Sequence, residues 1–138
     1  MSSGGDSDDR RALGREIRGR AQGAKADGLT RALEALDPEL VEWTDSFIFG
    51  TVWARPGLEF EERMLVAITA LASLGQIPQL RNYLFAALQA GIPESKIQES
   101  LAMLSVYAGF PAAINALECW REVRAAHGRA TKHADNLE

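Results

Sequence analysis

The sequence predicts an all-α protein, and three observations carry that prediction. Apolar residues recur at steps near 3.6 through most of the chain. No segment alternates apolar and polar residues with the β-branched content of a strand. Prolines and glycines fall at the seams between the periodic segments.

Taken in order, residues 1–9 are rich in Ser, Gly and Asp and read as a disordered leader. Leu13 and Ile17 sit at helical spacing among arginines, so residues 10–20 read as a short, solvated helix. Such an arm packs on its own domain or on a neighbouring subunit; without interleaved aromatic rings it makes a poor nucleic-acid surface. Gly28–Leu36 forms a second short helix. Asp37-Pro38 then supplies an N-cap and a proline at the first helical position. The next helix runs to about Val52, with Leu40, Val41, Thr44, Phe47, Ile48 and Val52 as its buried face. Arg55-Pro56-Gly57 breaks it.

Glu59–Leu74 carries Leu65, Ile68, Leu71 and Ala72 on one stripe, and Gly75 stops it. Pro78 opens a partner helix with Leu80, Leu84, Ala87 and Leu88, which ends at Gly91. The short connection predicts that these two helices form an antiparallel hairpin. Pro93 opens another helix to about Ala108, using Ile97, Leu101, Leu104 and Val106, and Gly109 ends it. Pro111 begins the last helix, through Trp120 and Val123 to about His127. Residues 129–138 read as a flexible tail, which leaves residues 10–128 as a single domain.

Composition narrows the function. The chain has 138 residues, 46% hydrophobic and 25% charged, which suits one soluble domain. A net charge of -4 gives no global field for nucleic acid or an anionic membrane. No apolar run approaches the roughly 20 residues that span a bilayer, and the N-terminus is acidic rather than charged-then-apolar, so a cytoplasmic protein is expected. Cys119 is the only cysteine, which excludes an internal disulfide and a two-thiol redox centre. His127 and His133 match no metal-ligand spacing, and the glycines punctuate helices rather than forming a phosphate loop. No metal and no cofactor is expected.

The strongest motif is discontinuous. Val52-Trp53-Ala54-Arg55-Pro56-Gly57-Leu58 opens it, the hairpin Arg63 to Gly91 follows, and Tyr107-Ala108-Gly109-Phe110-Pro111-Ala112-Ala113 closes it. Over about Leu36 to Ala126 the chain resembles the carboxymuconolactone decarboxylase family, in the alkylhydroperoxidase D-like (AhpD-like) superfamily. The resemblance implies an AhpD-like helical bundle around a central antiparallel hairpin, assembled as a homotrimer or homohexamer with pockets near subunit contacts. It also implies a cofactor-free lyase or isomerase acting on a small carboxylated lactone or related cyclic acid. The peroxidase branch of the superfamily uses a Cys-x-x-Cys pair that this chain lacks.

The frame survives while its chemistry changes. The family usually reads Arg-Glu-Leu on the first hairpin helix and Glu-Leu-(Arg or Lys)-x-His on the second. Here the positions are Arg63-Met64-Leu65 and Gln79-Leu80-Arg81-Asn82-Tyr83. Losing CO2 leaves negative charge that the site must stabilise, and carbon must then be protonated. Tyrosine, with an ordinary pKa of about 10, can donate a hydrogen bond or a proton but is a poor resting base. Glutamine and methionine exchange no protons usefully.

By this resemblance Tyr83 and Arg55 are the catalytic candidates, and Trp53, Met64, Gln79, Arg81 and Tyr107 line the substrate. A guanidinium at position 55 or 81 suits a bidentate grip on a carboxylate. Each residue also has a plainer role. Tyr83 and the Tyr107–Ala113 junction serve packing equally well; Arg55 could pair with Glu59 or Glu61, and Arg81 could be an exposed helical charge. The alternative function is a non-catalytic protein of the same fold, either one that binds a small ligand or a structural subunit. Phe47, Phe49, Trp53, Phe60, Phe85, Phe110 and Trp120 are many large apolar groups for one small domain, so a second copy is expected to cover some of them.

Overall fold

A computed structural model describes residues 3–137, and among them every regular element is helical. Helix α1 is Ser3–Gln22, followed by a 3₁₀ turn at Gly23–Lys25. Then come α2, Ala26–Leu36, and α3, Pro38–Trp43, which continues into a π-helical segment, Thr44–Val52. The remaining helices are α4, Phe60–Ser73, α5, Ile77–Gln89, α6, Glu94–Tyr107, and α7, Phe110–Leu137. They fall into two compact units divided after Phe60.

In the first unit α1 packs along the π-helical segment, and two glycines make the crossing possible. A Cβ on Gly14 would lie 1.6 Å from the Asp45 carbonyl oxygen; one on Gly50 would lie 2.4 Å from that of Arg10. Any larger residue at either position forces the helices apart. A buried ion pair holds the crossing: Arg18 Nε donates to Asp45 Oδ1 at 2.7 Å, and Asp45 is 1% exposed. The Arg18 guanidinium also donates to Gln22 Oε1 (3.3 Å), the Ala26 carbonyl (3.2 Å) and Thr30 Oγ1 (2.7 Å). Arg15 Nε lies 3.6 Å from Asp45 Oδ2, which accepts no hydrogen bond.

The Arg-rich arm therefore differs from the solvated helix that the sequence predicts. Arg18 is buried because a buried carboxylate faces it across a glycine-tight crossing. This helix also starts at Ser3, earlier than the Arg10 read from the sequence. Met1, Ser2 and Glu138, at the ends of the expected leader and tail, lie outside the described residues.

Asp37 caps α3 as expected, with its Oδ1 accepting from the Glu39 amide at 3.0 Å and Pro38 at the first helical position. The expected helix to Val52 changes type after Trp43. Its last turns close i→i+5 bonds, such as Trp53 N–H to the Ile48 carbonyl at 2.9 Å. Each residue then advances the face by less than in an α-helix, so burial falls on Val41, Asp45, Phe49 and Gly50. Phe47, Ile48 and Val52, placed inside by a 3.6-residue step, are exposed.

The second unit is built on α7, which packs against both α5 and α6. Its core is Met64, Ile68 and Ala72 of α4; Leu80, Leu84, Ala86 and Ala87 of α5; Ile97, Leu101 and Leu104 of α6; and Ala113, Ala116, Cys119, Trp120 and Val123 of α7. Most expected stripe residues are here, but Val106, the penultimate residue of α6, is exposed. Gly75, Gly91 and Gly109 punctuate the helices with positive φ. Gly128 does not: α7 continues through it to Leu137. One glycine inside a helix costs only about 1 kcal/mol relative to alanine, too little to end a long helix.

Cys119 is buried in α7. Burial pushes its thiol above the ordinary range, against a smaller lowering by Arg81, so the thiol is neutral at pH 7.

Two outcomes are expected. Asp45→Ala leaves the Arg18 guanidinium buried without its counter-charge, at a cost of about 3–5 kcal/mol. Its melting temperature should fall by more than about 10 °C, and a fall below about 3 °C would show that the pair is not structural. Native Cys119 should react with a thiol reagent at pH 7 at least about a hundredfold more slowly than the urea-unfolded chain. Because the folded thiol's pKa is raised, this group's stabilisation is complete below the unfolded value of about 8.5 and fades above it.

Candidate active site

The sequence-predicted residues divide between the two units. Trp53 and Arg55 belong to the first; Met64, Gln79, Arg81, Tyr83 and Tyr107 belong to the second.

In the first unit the chain leaves the π-helical segment directly into the Trp53–Gly57 turn, where the Arg55 amide donates to the Val52 carbonyl at 3.3 Å. The half-buried Trp53 ring is 5.1 Å from Phe49 and 6.3 Å from Phe60, both tilted rather than stacked flat. Phe49 is fully buried and anchors this group. The Arg20 guanidinium lies over the Phe60 ring, 4.1 Å from its centroid. Arg55 is at the surface of this turn. The turn thus presents a cation beside a ring that is held from two sides.

In the second unit α5 carries Gln79, Arg81 and Tyr83. Gln79 and Tyr83, four residues apart, share a face of the helix, with Gln79 exposed and Tyr83 half-buried. Arg81 lies between them in sequence and turns elsewhere. Its guanidinium pairs with Glu122 of α7 at 2.9 Å, a partly exposed contact of modest energy. The structure therefore groups Gln79 with Tyr83 and directs Arg81 to α7. Met64 is 0% exposed and forms part of the core. Tyr107, at the end of α6, is 80% exposed. Glu61, one of the carboxylates considered for Arg55, pairs with Lys96 at 3.2 Å.

Two surface depressions lie elsewhere. One of about 530 Å³ is lined by Ala24, Lys25, Asp27, Gly28, Leu29 and Arg31. Another of about 260 Å³ is lined by Glu94, Ser95, Gln98, Trp120 and Arg124. Neither involves a sequence-predicted site residue. Among the described residues, no group of three or more His, Cys, Asp or Glu side chains is placed to hold a metal ion.

Sequence reasoning missed the residues that support the Trp53 turn: Arg18, Asp45, Gly14, Gly50 and Arg20. A signal was present, since Asp45 is a lone carboxylate spaced four residues from both Val41 and Phe49. Asp45 is not among the residues that the sequence places on the buried face, so the need for a buried cation stays hidden.

Comparison with known proteins matches residues 38–122 to the carboxymuconolactone decarboxylase family. The chain is 34% identical over 113 residues to a 4-carboxymuconolactone decarboxylase of Acinetobacter baylyi, covering 80% of this chain and 83% of that one. It is 35% identical over 97 residues to an uncharacterized 15.0 kDa protein of Paracoccus denitrificans, covering 69% and 72%. A nitrosuccinic acid decarboxylase of Metarhizium robertsii is 31% identical over 78 residues, covering 56% of this chain and 52% of its own. The family match spans both compact units, and identity to a decarboxylase extends over most of both chains: this protein belongs to the carboxymuconolactone decarboxylase family.

Proposed function

We propose that this protein is a cofactor-free lyase or isomerase acting on a small carboxylated lactone or related cyclic acid, with a site that is less charged than the family's usual one. The observation that carries this reading is the 34% identity to a 4-carboxymuconolactone decarboxylase over most of both chains. The relative named for nitrosuccinic acid adds support, since both named substrates are small acids and both names describe decarboxylation. In this reading Arg55 grips the substrate carboxylate, and Arg81 can assist once released from Glu122. Trp53, Met64, Gln79 and Tyr107 shape the cavity.

In the decarboxylation step the bond from carbon to the leaving carboxylate breaks, and its electron pair passes into the adjoining conjugated carbonyl. Tyr83 stabilises that oxygen by a hydrogen bond or donates its O–H proton to carbon, and water then reprotonates the tyrosinate. Positioning carries most of the rate, because no side chain here replaces the imidazole as a base. No helix among the described residues is long and apolar enough to cross a membrane. The proposed setting is the cytoplasm.

The proposal extends to assembly. In it, α4 and α5 form the central antiparallel hairpin of an AhpD-like bundle, and copies of the chain associate as a homotrimer or homohexamer. Met103, Val106, Tyr107, Phe110 and Ile114 support association, because they leave large apolar side chains exposed around the α6–α7 junction. Tyr107 would line a site only when such a contact covers it. The complete burial of Met64 favours a second reading, in which the former carboxylate position is now core and the protein binds a small ligand without turning it over.

Carbon dioxide release from 4-carboxymuconolactone separates these readings, comparing the unaltered chain with a Met64→Glu, Gln79→Glu, Tyr83→His variant. The lyase reading expects an intact cavity, so the variant should release CO2 at least about a hundredfold faster. Turnover by the unaltered chain would show that the imidazole is dispensable. No release from either protein favours the binding reading. Light scattering during gel filtration should give a mass of several chains, and Phe110→Asp should lower it. A single-chain mass at micromolar concentration would contradict assembly.

A further inference from the structure

Helix α1 lies outside the matched residues 38–122, yet it is linked to the turn that carries Trp53 and Arg55 by two routes. The first is through the backbone. Arg18 holds Asp45 at 2.7 Å near the start of the π-helical segment, and Gly50 seats against the Arg10 carbonyl near its end. That segment closes on Trp53 itself, through its amide bond to the Ile48 carbonyl at 2.9 Å. The second route is through side chains. Arg20 covers Phe60 at 4.1 Å, Phe60 meets Trp53 at 6.3 Å, and Trp53 meets the buried Phe49 at 5.1 Å. Trp53 therefore stands between two rings, one fixed by the core and the other covered by α1. The Arg18 guanidinium also bonds Ala26 and Thr30, which brings the start of α2 into the same network.

We propose that α1 is a working part of the ligand site: Arg20, Phe60, Arg18 and Asp45 are positioning residues that set Trp53, and through it Arg55, for the substrate carboxylate. This rests on the reading of Trp53 and Arg55 as ligand-facing. A guanidinium or carboxylate grip tolerates little displacement, so a turn held at both ends binds better than a free one. Arg20 is the informative position, since its exposed side chain can be removed without opening the core.

The test uses the full chain labelled with 5-fluorotryptophan, which gives one fluorine resonance each for Trp43, Trp53 and Trp120, assigned by Trp→Phe substitution. Arg20→Gln should shift or broaden the Trp53 resonance while those of Trp43 and Trp120 keep their positions, and Arg20→Lys should restore it by returning a cation to the ring. A purely structural role for α1 predicts no selective change at Trp53. An unmoved Trp53 resonance, or equal movement of all three, would overturn the proposal. With 4-carboxymuconolactone, Arg20→Gln should raise KM about two- to fivefold at unchanged kcat, measured in the unaltered chain or, if that is silent, in the Met64→Glu, Gln79→Glu, Tyr83→His background. A fall in kcat at constant KM would also overturn it. If neither background turns over, the lyase reading fails, and the fluorine spectrum still decides whether α1 positions Trp53.

Discussion

The contact between Arg18 and Asp45 is the constraint on which the first sixty residues depend. A carboxylate that is 1% exposed must be paired, because burying it alone would cost several kcal/mol. One guanidinium meets this need with a 2.7 Å charge-assisted bond from Nε and uses Nη1 to tie Gln22, Ala26 and Thr30 into the same network. The geometry exists only because Gly14 and Gly50 let the two helical segments approach to backbone contact. The pair in turn fixes a π-helical segment, a local geometry that is rare and is often found near functional sites. That segment ends at the Trp53 turn.

In the second unit, packing sets the candidate residues. Gln79 and Tyr83 share a face of α5, and Met64 is core. Cys119 contributes no thiolate, because burial keeps it protonated at neutral pH. Arg81, also on α5, is balanced by Glu122.

Much of the fold was legible in the sequence. Proline and glycine marked the starts of α3, α5, α6 and α7, and the 3.6-residue stripes found Ile68, Leu80, Leu84, Ile97, Leu101 and Leu104 in the core. Family motifs quoted from the residues alone led to the same family that the comparisons show. Periodicity failed where the helix type changed: a 3.6-residue step assigns Phe47 and Ile48 inward, and in the i→i+5 ladder both are exposed while Phe49 is buried. The partnership of Arg18 with Asp45 spans 27 positions and leaves no local signature. Composition also marked Ser3–Asp9 and Arg129–Leu137 as irregular, although both are helical, because polar residues with few breakers extend an existing helix at little cost. On the candidate site, the sequence supplied the residue types and missed the arginines that support them.

Amide hydrogen exchange in Asp45→Asn tests the dependence of the first unit on this pair most directly. The substitution keeps the size of the side chain and removes its charge. If the ion pair holds α1 to the π-helical segment, amides of Thr44–Val52 and of α1 should lose protection by at least about tenfold. Wild-type protection across those residues would contradict the account and place the stability of the crossing in the glycine contact alone.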